Sequence, residues 1–168
     1  CQRAPAHINV QIDEPINAVA NWTDTQRIIE VSEPSAELSA EAISRLADEA
    51  MGKNILIIAG FGRHDACLEA EINRLAEFPN VAVLTETIAN IKGSRLIAAV
   101  DRTLLAMDSD KKFAPDLLIT IGGALVSRMV KAFMRQNKPA AHWHVGVTGT
   151  TVDCMQALTR RILADPAV

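Results

Sequence analysis

The residues best placed to do chemistry in this sequence surround a pair of glycines, Gly122-Gly123. An apolar run from Leu117 to Ile121 precedes the pair, and Ser127 and Arg128 follow it. Apolar residues then recur at the spacing of an amphipathic helix: Val126, Met129, Val130, Phe133 and Met134. In such a strand–turn–helix unit, the first helical N–H groups, Ser127 and Arg128 could together bind an anion. Two glycines can also simply close the turn, and on the glycines alone this simpler interpretation is favoured.

A second glycine turn, Gly60-Phe61-Gly62, follows the apolar run 54–59. A dinucleotide-binding fingerprint would stand here, but its G-x-G-x-x-G pattern needs a third glycine and the sequence has Asp65. The nearest acid past the next apolar run is Glu86. The pattern therefore favours a tight turn over nicotinamide or flavin binding.

His142 and His144 alternate about Trp143, so both imidazoles should face one side of a strand. A zinc site would need a third ligand, and none has a usable spacing, so a structural role is favoured. Cys154 is interpreted as a small packing residue, and Glu69 and Glu71 as a solvated helix face. No nucleophile elbow or phosphate-binding loop occurs. We therefore expect no catalytic residue and no metal site in this chain.

The elements that must position these residues alternate between strands and helices. Strands are predicted at residues 7–12, 27–31, 54–59, 81–84, 117–121 and 140–145. Helices are predicted from Pro34-Ser35 to Gly52, after a cap at Asp65, from Ser94 to Met107, after Gly123, and across Val152, Met155 and Ile162. This alternation predicts an α/β fold with a mainly parallel sheet.

Composition narrows the classes of function. The chain has 168 residues, 49% of them hydrophobic, and a net charge of −3 without a basic stripe, so nucleic acid is not an expected partner. No apolar run approaches the roughly 20 residues of a membrane helix. Cys1, Cys67 and Cys154 lie far apart, which favours a reducing, cytoplasmic setting. The chain begins at Cys1 with strand-like residues, and we interpret it as a segment of a longer polypeptide.

Four stretches together resemble the central region of thiamine-diphosphate-dependent enzymes. Residues 4–10 with Asp13-Glu14-Pro15 are similar to the G-P-V-H-I-N-V-P…E-P segment that closes the family's first domain, although Ala4, Ala6 and Gln11 differ from it. Residues 54–60 are similar to a central-domain strand ending in A-G, and residues 115–128 to a P-D-…-G-…-S-K run. Residues 142–145 resemble the strand leading toward the last domain.

The resemblance implies a domain division and a set of partners. Residues 1–26 would be the tail of a pyrimidine-binding domain with a linker, and residues 27–168 a Rossmann-like three-layer central domain. The pyrimidine and pyrophosphate domains, which carry the activating glutamate and the G-D-G metal motif, would lie elsewhere. The full-length enzyme would be cytoplasmic and homo-oligomeric, and would use thiamine diphosphate and Mg²⁺, neither of which should bind this segment alone.

The resemblance is strongest to the menaquinone-pathway branch of the family. There the cofactor ylid attacks 2-oxoglutarate, carbon dioxide leaves, and the carbanion adds to isochorismate. Arg128 falls where the family has a basic residue, commonly lysine, that contacts a substrate carboxylate, with Ser127, Gly122 and Gly123 beside it. The alternatives are a solvated surface role for Arg128, another enzyme of the family such as an acetolactate synthase, and a non-catalytic Rossmann-like module binding a nucleotide or anion.

Overall fold

A computed structural model describes residues 38–107, 113–147 and 153–167. These residues form one parallel five-stranded sheet in the order β2-β1-β3-β4-β5. The strands are β1 Ile55–Ala59, β2 Val81–Thr85, β3 Leu117–Ile121, β4 Ala141–Val145 and β5 Arg160–Ile162. The helices are α1 Ala40–Ala50, α2 Ala66–Leu75, α3 Val100–Ala106 and α4 Arg128–Gln136. The predicted α/β, Rossmann-like three-layer fold is confirmed.

Helices cover both faces of the sheet, which explains why β1 is apolar at every position and β3 at every position except Thr120. On one face, Ile57 pairs with Val83 and Ile119, and this row packs under α2. The same face continues under α1 through Leu117 and Trp143. The other face packs against α3 and α4 through Ile58, Leu118 and their neighbours. The core is therefore two apolar layers separated by the sheet.

Local capping signals operate as the sequence predicts. Asp65 caps α2, since its carboxylate accepts the N–H groups of Cys67 at 2.8 Å and Leu68 at 3.0 Å. Gly52 ends the α1 region with a φ of +72°, a backbone conformation that glycine adopts without strain. The predicted helix start at Pro34-Ser35 lies outside the described residues. Leu38, which was placed in that helix, is not helical, and α1 begins at Ala40, where the Ser39 side chain accepts the N–H of Ala42.

The predicted helix from Ser94 is wrong over its first turns, because α3 starts only at Val100. Ile97 instead forms a parallel bridge with Leu84, its N–H donating to Val83 at 2.9 Å and its carbonyl accepting from Thr85 at 3.1 Å. Strand β2 is at the edge of the sheet, where backbone groups need partners. The segment before α3 supplies some of them.

The predicted closing helix is also wrong where the structure describes it. Residues 153–158 form turns held by Asp153, whose carboxylate accepts the N–H groups of Ala157 and Leu158. Met155 is fully buried, and Ile162 lies in β5 beside Val145. The helix-like spacing of Met155 and Ile162 therefore reflects the burial of two residues in different elements, a turn and a strand. Val152, the predicted strands at 7–12 and 27–31, and the domain boundary after residue 26 lie outside the described residues.

The strand order determines where loops could form a site. From β1 the chain crosses to β2 on one side, whereas from β3 it crosses to β4 on the other. The loops after β1 and β3 therefore flank the point where the direction of winding reverses, at the carboxyl edge of the sheet. This is the position at which open α/β sheets bind ligands.

Candidate functional site at the carboxyl edge of the sheet

The two glycine turns at this edge pack directly on each other. Phe61 donates its N–H to Ala124 at 3.1 Å, and Gly123 donates to Phe61 at 2.7 Å. A side chain at Gly60 would collide with the Gly123 carbonyl, and one at Gly122, whose φ is +77°, would lie 2.9 Å from the Phe61 carbonyl. Backbone proximity between the loops therefore requires these glycines, as the simpler interpretation of the pair proposed.

The start of α4 is occupied by a carboxylate from the chain itself. One oxygen of Glu86 accepts the Val126 N–H at 2.8 Å, and the other accepts the Ser127 N–H at 2.6 Å. Glu86 is only 9% exposed and directly follows β2. The N–H groups of Val126 and Ser127 are therefore already bonded to a carboxylate of the chain.

Ser127 is the N-cap of α4 and belongs to the same network. Its hydroxyl oxygen accepts the Val130 N–H at 3.1 Å, and the hydroxyl donates to the carboxylate of Asp101 at the start of α3. The carboxylates of Glu86 and Asp101 thus both lie beside the start of α4. Asp101 was missed by sequence reasoning because it reads as an ordinary polar position on a helix.

An open cleft of about 390 Å³ adjoins this network. Its lining comes from the turn after β2, the start of α3 and the residues before α4, and includes Glu86, Ile88, Asp101, Arg102, Val126 and Ser127. Of the predicted site residues, Ser127 lines the cleft, while Arg128 follows it as the exposed first residue of α4. Gly122 and Gly123 lie in the adjoining loop, exposed but outside the cleft lining. The assignment of these four residues to a substrate site stays a prediction.

The two histidines face the same side of β4, as predicted, and share one hydroxyl. Thr120 Oγ1 lies 2.9 Å from Nε2 of His142 and 3.0 Å from Nδ1 of His144. His142 is 3% exposed, and its Nδ1 has no hydrogen-bond partner. Burial lowers the pKa of His142 to about 4. Burial, followed by the charge of Arg161, also lowers the pKa of His144.

Other candidate residues have packing or surface roles. Cys154 packs against the core layer beneath α4, in agreement with the sequence interpretation. Glu71 pairs with Arg74 on the exposed face of α2, whereas Glu69 also accepts the backbone N–H of Lys92 at 2.8 Å. Within the ranges 38–107, 113–147 and 153–167, no three His, Cys, Asp or Glu side chains are grouped so that they could hold a metal ion.

The fold and this edge define a class of protein: a three-layer, Rossmann-like α/β domain whose loops meet at the carboxyl edge of a parallel sheet. No protein-family model matches the chain. Comparison with curated proteins finds 2-succinyl-5-enolpyruvyl-6-hydroxy-3-cyclohexene-1-carboxylate synthases, also called MenD. The synthase of Porphyromonas gingivalis is 32% identical over 163 residues, which is 96% of this chain and 28% of that protein.

Further synthases match over nearly the same span. The Flavobacterium johnsoniae protein is 29% identical over 173 residues, covering 98% of this chain and 30% of that protein. The Desulfotalea psychrophila protein is 32% identical over 165 residues, covering 94% of this chain and 30% of that protein. The chain therefore belongs to the 2-succinyl-5-enolpyruvyl-6-hydroxy-3-cyclohexene-1-carboxylate synthase family, and it spans about 30% of the length of these relatives.

Proposed function

We propose that this chain is the central domain of a menaquinone-biosynthesis synthase. The full-length protein would be a thiamine-diphosphate-dependent transferase that decarboxylates 2-oxoglutarate and adds the resulting succinyl semialdehyde–thiamine carbanion to isochorismate. The observation that carries this proposal is the match to synthases of one name over more than nine-tenths of the chain. A match of that extent favours this synthase over other enzymes of the thiamine-diphosphate class.

The cofactor would be held outside this chain. Thiamine diphosphate would supply the electron sink for decarboxylation, and Mg²⁺ would bind its diphosphate. The described residues before α4 do not fit that group, because the N–H groups of Val126 and Ser127 are bonded to Glu86 and the Ser127 hydroxyl is bonded to Asp101. Two carboxylates would repel a diphosphate there. The same observation argues against a nucleotide- or anion-binding module at Gly122-Gly123.

Within the synthase, this chain would contribute part of the substrate site through Arg128. Both proposed substrates carry carboxylates, and a guanidinium can bind a carboxylate through two parallel hydrogen bonds. Arg128 is exposed at the carboxyl edge and directly follows Ser127, which lines the cleft. The Ser127 cap, together with Gly122 and Gly123 in the adjoining loop, would set the backbone from which Arg128 reaches the substrate.

Steady-state kinetics of the full-length synthase test this function. The wild-type protein should consume 2-oxoglutarate and isochorismate only when thiamine diphosphate and Mg²⁺ are present. Arg128→Ala should lose about 1.5–3 kcal/mol of interaction, or roughly ten- to a hundredfold in kcat/KM, through an increase in KM if substrate and transition state are held equally. Arg128→Lys should recover part of that loss.

Arg95→Ala is a matched control, since Arg95 is an exposed arginine paired with Glu77 away from the cleft lining. It should leave kcat/KM unchanged. If Arg128→Ala keeps the wild-type kcat/KM for both substrates, Arg128 does not bind a substrate carboxylate and is a solvated surface residue. Failure of the wild-type protein to turn over this substrate pair would reject the synthase itself.

A further inference from the structure

Glu86 occupies the position at which a helix ordinarily receives an external anion. Its two oxygens accept N–H groups from the consecutive residues Val126 and Ser127, at 2.8 and 2.6 Å. These donors stand at the positive end of the α4 dipole, where a carboxylate is stabilised. A glutamate forty positions earlier in the sequence thus performs the task of a bound ligand.

The backbone of Glu86 is itself anchored, so its carboxylate is a fixed point. The Glu86 N–H donates to Ala59 at the end of β1 at 3.4 Å, and its carbonyl accepts the Ala89 N–H at 2.9 Å within the 3-10 turn Thr87–Ala89. Its near-complete burial also strengthens its charge-assisted hydrogen bonds relative to exposed ones. Glu86 therefore ties α4 to the two strands on the far side of β3.

A second carboxylate holds the same turn from another element. Asp101, in the first turn of α3, accepts the hydroxyl proton of Ser127, while that hydroxyl oxygen accepts the N–H of Val130. The residue immediately before Arg128 is thus held through its N–H by Glu86 and through its side chain by Asp101. These contacts hold Ser127, from which the backbone continues into Arg128.

We propose that Glu86 is a built-in anion that fills the start of α4 and thereby orients Arg128. The inference rests on the proposed synthase function where it concerns catalysis. A substrate carboxylate would then be recognised by the Arg128 guanidinium and not by the helix amides, because a second carboxylate at those amides would contact Glu86. Glu86 is a positioning residue in this scheme, since it acts through the turn that carries Arg128.

The first test asks whether the position occupied by Glu86 binds anions, and it needs only the 168-residue chain. Glu86→Ala removes both charge-assisted bonds, and Glu86→Gln removes the charge and replaces one acceptor oxygen by an NH2 group, so each should lower the Tm by about 5–10 °C. Sodium formate should raise the Tm of Glu86→Ala in a saturable way by restoring a carboxylate to the vacated position. Sodium chloride at equal ionic strength should not.

Glu77→Ala is the matched control, because Glu77 is an exposed glutamate whose carboxylate pairs with Arg95. Its Tm should stay within about 2 °C of the wild type and respond to formate as the wild type does. If formate raises the Tm of Glu86→Ala no more than that of Glu77→Ala, the built-in anion is rejected.

The second test measures coupling to Arg128 in the full-length synthase by a double-mutant cycle. Glu86→Gln should lower kcat/KM about tenfold in the wild-type background and have no further effect on kcat/KM when Arg128 is alanine. Its effect on Tm should be the same in both backgrounds. A purely structural role would instead lower kcat/KM by the same factor in both, and that result would overturn the positioning role.

The two tests separate failure of this inference from failure of the proposed function. If Arg128→Ala alone leaves kcat/KM unchanged, the substrate role of Arg128 and its positioning by Glu86 both fall. The formate result still decides whether Glu86 is a built-in anion, because that measurement involves no substrate.

Discussion

At the scale of single residues, the sheet accommodates two imidazoles beside an apolar layer through one hydroxyl group. Thr120 contacts both His142 and His144. A threonine hydroxyl carries one proton, so it can donate to only one of the two rings that it contacts and must accept from the other. In this arrangement the Nδ1 atom of His142 is buried and has no hydrogen-bond partner. Because a buried imidazolium would be costly, the folded protein holds His142 neutral.

The stability of the chain should consequently decrease in mild acid. The pKa of His142 is about 4 in the folded protein against 6.5 ordinarily, so between these values the unfolded chain binds a proton that the folded chain does not. The stabilisation is complete above pH 6.5 and is lost as the pH falls toward 4, by about 3 kcal/mol from this group. The lowered pKa of His144 acts in the same direction. Urea unfolding at a series of pH values measures the slope.

His142→Gln should flatten this pH dependence, while His64→Gln, at an exposed histidine, should leave it in place. An unchanged slope in His142→Gln would contradict the assignment of this loss of stability to His142.

At the scale of elements, the contact between the two glycine turns continues the pairing of β1 and β3 into the loops at the carboxyl edge. Gly60→Ala would drive a methyl group into the Gly123 carbonyl, and also to 3.2 Å from the Ala124 carbonyl. Both obstacles are backbone atoms in a loop that carries α4, so the neighbour can move only with the helix. We expect Gly60→Ala to lower the free energy of unfolding by about 1–3 kcal/mol.

Gly62→Ala provides the matched comparison in the same turn. A methyl group there would lie 3.5 Å from the Ala89 carbonyl, an ordinary contact distance, so the change should stay within about 1 kcal/mol of the wild type. Urea unfolding of both variants measures the difference. Equal stability of the two would mean that the loops can separate without cost.

At the scale of the whole molecule, this chain corresponds to about 30% of the synthases that it matches. No G-D-G motif occurs in its 168 residues. No helix among the described residues is both long and apolar enough to span a membrane. If the proposed function is correct, the activity of this chain depends on the rest of the full-length synthase.

The 168-residue chain by itself should neither bind thiamine diphosphate with Mg²⁺ nor catalyse synthase turnover. The physical reason is that the N–H groups of Val126 and Ser127, just before α4, are already bonded to Glu86 and that the described residues group no set of metal ligands. Isothermal titration should give no heat of binding, with the full-length synthase as the positive control. Magnesium-dependent binding in the micromolar range would contradict the domain assignment.

The sequence by itself determined the fold class, four of the strands and the family. The mainly apolar runs that form β1, β2 and β3 are typical of strands buried on both faces, and β4 was visible as a short run around Trp143. The cap at Asp65 was also visible, because its partners are two and three residues away. Signals of this kind depend on neighbours along the chain, so a single sequence carries them.

The tertiary structure alone decided the chemistry of the carboxyl edge. Glu86 and Asp101 reach the start of α4 from 41 and 26 positions before Ser127. Likewise Ile97 pairs with β2 instead of joining α3, and Ile162 completes the sheet as part of β5. In each case a backbone or side-chain group bonds to a partner that is distant in sequence. The spacing of residues along the chain does not reveal such partners. The apolar spacing around Ile97 is therefore compatible with a helix, but in the folded protein the edge strand β2 offers backbone partners that pair with this segment instead.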